Sequence, residues 1–388
     1  MIFWVSVIIW LTTFATLSPG GSVGGFDATA KFKILVRAFS ITVLGWMIFS
    51  HFRCLKIQQI VLSYWPWAIF AAWAIASTLW SPLASITLGQ AGGQVSLITL
   101  SACVAISFRQ GHQQYLQQCL IALTVYCAIF GLGSLVLPDV IKVARSSLGR
   151  VVHPTALGAA ASLGLVAMTS LLVASSWKWV KPLAIVSLPI FAIAMVASHN
   201  RLGLGLAVVL CPIVVLVKGQ SHRLAAIGLA MSILGTCYLV LDPGLVFLED
   251  AIGTGANFVQ RGQSSTQLAE FSGRNEMWSK MWNSYLEAPL IGHGYFVCSS
   301  TGTLYVWFVD QNHTAHNIFL QALVTTGVVG LAIFVGWQMQ FVRLFVLATG
   351  QRFKSSEIAT LVPILLLWAL GWSMLNAFIL GPIRPESV

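Results

Sequence analysis

Apolar residues fall along this chain in blocks of about the length a helix needs to cross a bilayer core. Short polar or Gly/Pro-containing intervals close each block. The pattern predicts crossings near 2–17, 34–51, 59–79, 88–107, 115–137, 154–174, 180–198, 202–217, 222–241, 317–342 and 357–380. The expected fold class is therefore all-α, a polytopic membrane helix bundle of about eleven transmembrane helices. One interval is different: 242–316 is long and largely polar, and is expected to be a large, partly helical loop outside the membrane. The expected organisation is a membrane domain of helices over 1–241, the inserted loop over 242–316, and the last helices over 317–388. Inside the loop Met277, Trp278, Met281, Trp282 and Tyr285 recur at helical spacing, predicting an amphipathic helix capped by Ser272 whose apolar stripe lies on the membrane or packs in a core. The run Gly381-Pro382-Ile383-Arg384-Pro385 ends the last helix, because proline lacks the donor that would continue it.

Composition removes the soluble alternatives. Of the 388 residues 57% are hydrophobic and 8% charged, against roughly 25% charged in an ordinary soluble domain. The apolar N-terminal stretch has no Lys or Arg before Lys31, so it reads as a retained first crossing rather than a cleaved signal. Seven cysteines occur without a CxxC or Cys/His metal spacing, and most sit in or beside apolar runs as small fillers.

Charge adds an orientation and a question. The formal net charge is +10. Basic residues in a membrane protein mark cytoplasmic loops, so the expected partners are membrane lipids and not nucleic acid. With the N-terminus inside, Arg53, Lys56, Arg109, Lys178, Lys181, Lys218, Arg223, Arg343, Arg352 and Lys354 fall in inner loops, with Glu357 as their only acid. The remaining basic residues fall on the other side. Counting crossings between them places the starts of the helices at 154, 202 and 317 on the same face as the long loop. Four clusters meet there: Arg145, Arg150 and His153; His199, Asn200 and Arg201; Arg274; and His313 with His316.

These residue types at helix starts suit an anion. A helix N-terminus carries unpaired N–H groups and positive charge, and an arginine placed there is unfavourable by itself. Arg201, Arg274 and Arg150 near helix starts therefore suggest an anion between them, and the guanidinium fork matches phosphate oxygens. The helix end beside His316 keeps an imidazole neutral, as a general base requires, and Asn317 beside it is placed to orient a polar substrate. Asp310, His313 and His316 follow no established zinc spacing, so no metal is expected. GxxxxGK[ST], GxSxG and HExxH are absent from the sequence.

At these residues the sequence resembles the O-antigen ligase/polymerase superfamily. The likeness is carried by Ser272-Gly273-Arg274 with Trp278, by Ala288-Pro289-Leu290-Ile291-Gly292-His293-Gly294-Tyr295, by His316-Asn317 with Gly327 beyond it, and by Ser198, Arg201 and Gly203. It covers about 150–345 well and the first half mainly through hydropathy. The resemblance implies the fold of the C-type membrane glycosyltransferases, sometimes with one more helix than counted here, and an enzyme of the bacterial inner membrane whose site faces the periplasm. It implies an undecaprenyl-pyrophosphate-linked glycan as donor and lipid A–core or another lipid-linked glycan as acceptor. It makes His316, Arg274 and Arg201 the catalytic residues; from their places in the clusters, Arg150, Arg145, His313, Asn317 and His293 are expected to hold substrate. No cofactor is expected. The first outer loop offers Asp27 as its one acid, so transfer is expected to need no metal, and a single displacement inverts the anomeric centre. A transporter or flippase for the same lipid-linked glycan is the competing reading; it would use the arginines and need no base.

Overall fold

In the computed structural model of this protein the described residues are 28–51, 55–143, 151–217, 274–295, 315, 317–349 and 358–375. The expected crossings at 2–17 and 222–241, with 242–273 and 296–314 of the long loop, lie outside them. Among the described residues the chain is helical, with no strand and one isolated bridge between Val143 and Val152. The helices are α1 (Ala28–His51), α2 (Leu55–Ser63), α3 (Trp65–Ala76), α4 (Ala84–Cys127), α5 (Gly133–Val136), α6 (Pro154–Ala174), α7 (Val180–Ser198), α8 (Arg201–Val217), α9 (Arg274–Glu287), α10 (Ile318–Thr349) and α11 (Ile358–Leu375). Five stretches among them are long and apolar enough to cross a membrane: Thr87–Ile106, Gln113–Val136, Pro154–Ala174, Val180–Ser198 and Ile318–Gln340.

The helices at 154–174 and 180–198 begin and end where the hydropathy pattern puts them. Three others depart from it. The expected crossing at 59–79 is divided at Tyr64 into α2 and α3, because Pro66 sits in the first turn of α3, where its missing N–H costs nothing. The expected break between 107 and 115 is absent: the chain stays helical from Ala84 to Cys127 and runs on through a π turn, Ala128–Leu132, into α5. Arg109, Gln110, Gln113 and Gln114 are good helix formers and no proline intervenes. Their polarity marks a change of environment rather than an end of helix.

The third departure positions the site. Helix α10 is two helices joined at Gly327, whose φ of 66° and ψ of −173° are not helical. The rings of Phe319 and Phe334 lie 5.9 Å apart. In an unbroken helix their Cα atoms would be about 22 Å apart at 1.5 Å per residue, beyond the reach of two side chains. The arm Ile318–Thr326 therefore folds back on the arm that starts at Val328, and Ile318–Gln340 is no single straight crossing. The second arm, to Thr349, gives about 33 Å of helix, enough for a core of about 30 Å.

The described chain divides into two compact units. The first comprises residues 1–126, 276–350 and 369–388. Its core is aromatic: Trp67 stacks on Trp337 at 4.5 Å, and Phe70 meets Phe334 and Tyr295 edge-on or tilted. Leu44, Ala91, Leu97, Ile318 and Ala322 complete it. Two of its indoles are paired: Trp67 Nε1 donates to Gln94 Oε1 at 3.0 Å and Trp73 Nε1 to the Thr326 carbonyl at 3.2 Å.

The second unit comprises residues 127–275 and 351–368. At its centre α6 is buried along most of its length, against both α7 and α8. Small residues make this possible. Gly164 of α6 lies under the Phe191 ring, and Gly131 in the π turn lies against Ala194, with no room at either for a Cβ. Trp368 Nε1 donates to Ser162 Oγ at 3.0 Å, tying the middle of α11 to α6.

Candidate functional site

Within the second unit the sequence-expected cluster around Arg201 is built by a two-residue turn. Helix α7 ends at His199, which takes a left-handed conformation (φ 48°, ψ 31°), a costly one for a residue with a Cβ. Ser198 Oγ, itself donating to the Met195 carbonyl at 2.8 Å, accepts from the Asn200 N–H at 3.2 Å and closes the turn. Asn200 then caps α8: its Oδ1 accepts from the Gly203 N–H at 2.9 Å. Arg201 is the first residue of α8 and is half-buried. Gly203 approaches the Gly158 carbonyl, and a Cβ on Gly158 would run into the Asn200 side chain. Two glycines thus let the start of α8 sit against α6. The Ser-x-x-Arg-x-Gly pattern is a turn, a cap and a close approach around one arginine.

Helix α6 starts in the same manner. His153 is its N-cap, with Nδ1 accepting from the Thr155 N–H at 3.1 Å. Arg145 and Arg150, just upstream, lie outside the described residues.

Within the first unit α9 and the two arms of α10 hold one another. Met281 is buried against Val324 and Ala315, with Trp278 and Tyr285 beside it. Trp278 Nε1 donates to the Ala315 carbonyl at 2.8 Å, and Gln321 Oε1 accepts from the Ala315 N–H at 2.8 Å. Both polar groups of Ala315 are therefore held by side chains, and its carbonyl belongs to the peptide bond that leads to His316. Asn317 caps α10: its Oδ1 accepts from Phe319 N–H and Leu320 N–H, each at 3.0 Å. His316 and His313 lie outside the described residues, and of Arg274 the structure describes the backbone, which opens α9.

The loop after α9 plugs the break in α10. Val328 N–H donates to the Pro289 carbonyl at 2.9 Å and Val329 N–H to Leu290 at 3.2 Å, while Gly294 N–H donates to Thr325 at 2.9 Å and His293 N–H to Val324 at 3.3 Å. A bend in an apolar helix strands exactly these groups, and the loop returns all four. Gly292 (φ 67°) and Gly327 (φ 66°) make the approach, backbone against backbone, while Gly294 (φ 108°) lies close against Ser81. The His293 ring is engaged too, with Nε2 at 2.7 Å from the Ser284 carbonyl of α9. Tyr295 N–H donates to Ser77 Oγ at 2.8 Å, which fastens the end of the loop to the end of α3.

Among the described residues no group of three or more His, Cys, Asp or Glu side chains is arranged to hold a metal. Residues 185–335 match the O-antigen ligase family. The match starts inside α7 and ends in the second arm of α10, so the O-antigen ligase segment contains the Arg201 turn, α9, the plugging loop and the Gly327 bend. The resemblance to the O-antigen ligase/polymerase superfamily is borne out over that segment. No curated protein matches the chain. With several apolar helices of crossing length, the chain is a multi-pass membrane protein with a segment that matches the O-antigen ligase family.

Of the residues singled out from sequence, Arg201, Arg274, His293, His313, His316 and Asn317 fall within the segment, and Arg145 and Arg150 precede it. Sequence reasoning missed the caps. His153, Asn200 and Asn317 each take up helix-start N–H groups that had been left for an anion. The signal was present, since asparagine immediately before an apolar helix is a strong N-cap. It also missed Trp278 and Gln321 as the pair that fixes Ala315, which no local pattern announces.

Proposed function

We propose that this protein transfers a glycan from an undecaprenyl-pyrophosphate carrier to a sugar hydroxyl, at the periplasmic side of a bacterial inner membrane, without a metal and with inversion. The acceptor is lipid A–core or another lipid-linked glycan. The observation that carries the reading is the O-antigen ligase match over 185–335, which holds Arg201, Arg274 and His316 in order, each at or just before a helix start.

In the proposed step the acceptor oxygen bonds to the anomeric carbon as the bond from that carbon to the phosphate oxygen breaks. The acceptor proton passes to His316, and the electron pair leaves with undecaprenyl pyrophosphate. Charge develops on the diphosphate, so fixed positive charge there lowers the barrier. The caps bear on which groups supply it. Asn200 occupies the Gly203 N–H of α8 and Asn317 the Phe319 and Leu320 N–H groups of α10. The burden then falls on guanidinium groups, which give charge and paired donors together.

Replacing Arg201 with lysine separates the two, because lysine keeps the charge and loses the fork. Loss of a hydrogen bond to a charged group costs about 1.5–3 kcal/mol, so Arg201→Lys is expected to reduce transfer about 10- to 100-fold and Arg201→Ala further. The measurement is glycan transfer by purified protein with lipid-linked donor in the presence of EDTA. Full activity in Arg201→Ala would remove Arg201 from the site, and abolition by EDTA in the wild-type protein would remove the metal-free reaction.

A further inference from the structure

The side of α9 away from its buried stripe poses a separate problem. Trp278, Met281 and Tyr285 face Ala315 and the first arm of α10. On the adjoining face Trp282 is 50% exposed and Leu286 59%, and the loop beyond continues the strip with Leu290 at 66% and Ile291 at 40%. The opposite arc of the helix, Ser279, Asn283 and Glu287, is polar and exposed. The exposed apolar strip thus lies between a packed face and a wet one.

We infer that Trp282, Leu286, Leu290 and Ile291 sit in the lipid bilayer, so that the end of α9 and its loop form a membrane-inserted element within what the sequence presents as an extramembrane loop. Three observations assign lipid rather than water or protein. The strip is continuous with the exposed apolar side of a helix of crossing length: the loop carbonyls of Pro289 and Leu290 are bonded to Val328 and Val329, which are themselves exposed at the start of the second α10 arm. The loop backbone is non-helical, and such backbone enters an apolar medium where its polar groups are met by protein; the Gly327 bend meets the Pro289 and Leu290 carbonyls and the His293 and Gly294 N–H groups. Finally, the polar arc beside Trp282 gives the arrangement of an interfacial helix, with an amphipathic ring at the boundary. This inference is independent of the transfer reaction.

The test uses the full-length protein in vesicles of phosphatidylethanolamine and phosphatidylglycerol, with a photoreactive diazirine leucine at position 290, 291 or 283 in separate preparations. Probes at 290 and 291 are expected to give phospholipid adducts by mass spectrometry, several-fold above the probe replacing Asn283, which should be quenched by water. Two sites carry the expectation, so poor folding at one leaves the other decisive. Water quenching at 290 and 291 equal to that at 283 would overturn the inference. So would adducts to a second copy of the chain or to another segment of the same one.

Discussion

His316→Ala is expected to lower the turnover of glycan transfer by about 10²- to 10⁴-fold, the range a positioned general base contributes, while donor binding and the folded state are retained. The reason lies in the division of labour proposed for the site. The arginines act on the leaving diphosphate, so their loss weakens donor binding and the chemical step together. The histidine acts on the acceptor proton, which moves only in the chemical step, so its loss falls on kcat. The surroundings support such a role. The peptide that leads to His316 has its carbonyl held by Trp278, and the preceding N–H is held by Gln321. Two side chains are devoted to one alanine, and the residue that follows it is the candidate base. Steady-state rates for His316→Ala beside donor affinity check this, and unchanged kcat would remove the base from the account.

Gly327→Ala is expected to destabilise the protein by about 3–5 kcal/mol, from backbone strain of about 1–3 kcal/mol at such φ, ψ values and a comparable overpacking cost. A φ of 66° with ψ of −173° belongs to a region that is essentially glycine's alone. A Cβ there would also run into the Leu290 carbonyl, one of the groups that plug the break. Gly336, further along the same helix, has nothing within 4 Å of the position its Cβ would take; Gly336→Ala is expected to be neutral or slightly stabilising, since glycine is the poorer helix former. Thermal unfolding of both variants in the same detergent checks the contrast. Equal midpoints would show that the bend at Gly327 is not a fixed feature of the fold.

The two positions explain how much of the fold could be read in advance. Helices α6 and α7 were legible to the residue because punctuation and hydropathy agree there: His153-Pro154 starts one, and His199-Asn200 separates the other from α8. The polar stretch around Arg109 misled because hydropathy reports surroundings while the backbone follows propensity, and nothing there stops a helix. Gly327 misled in the opposite sense. It lies in an apolar run with no proline, so the pattern reads straight through it, and the bend depends on a loop more than thirty residues earlier supplying its hydrogen bonds.

The placement of Arg201 and Arg274 at helix starts was legible in the sequence. What the residues around them do was less so. His293 looked like a substrate contact and is engaged with the Ser284 carbonyl; Asn317 looked like a substrate-orienting amide and its oxygen caps α10. Short polar side chains beside helix ends meet the local backbone first, and only spatial arrangement shows which remain for a ligand.

In the proposed function this protein joins glycan to acceptor rather than moving lipid-linked glycan across the membrane. The most direct measurement supplies purified wild-type protein in liposomes with undecaprenyl-pyrophosphate glycan, with and without lipid A–core, and follows both products and the sidedness of the donor. The account predicts covalent transfer to the core, or growth of the glycan where no core is added, with release of undecaprenyl pyrophosphate. Donor appearing on the opposite face with nothing joined in either mixture would contradict it.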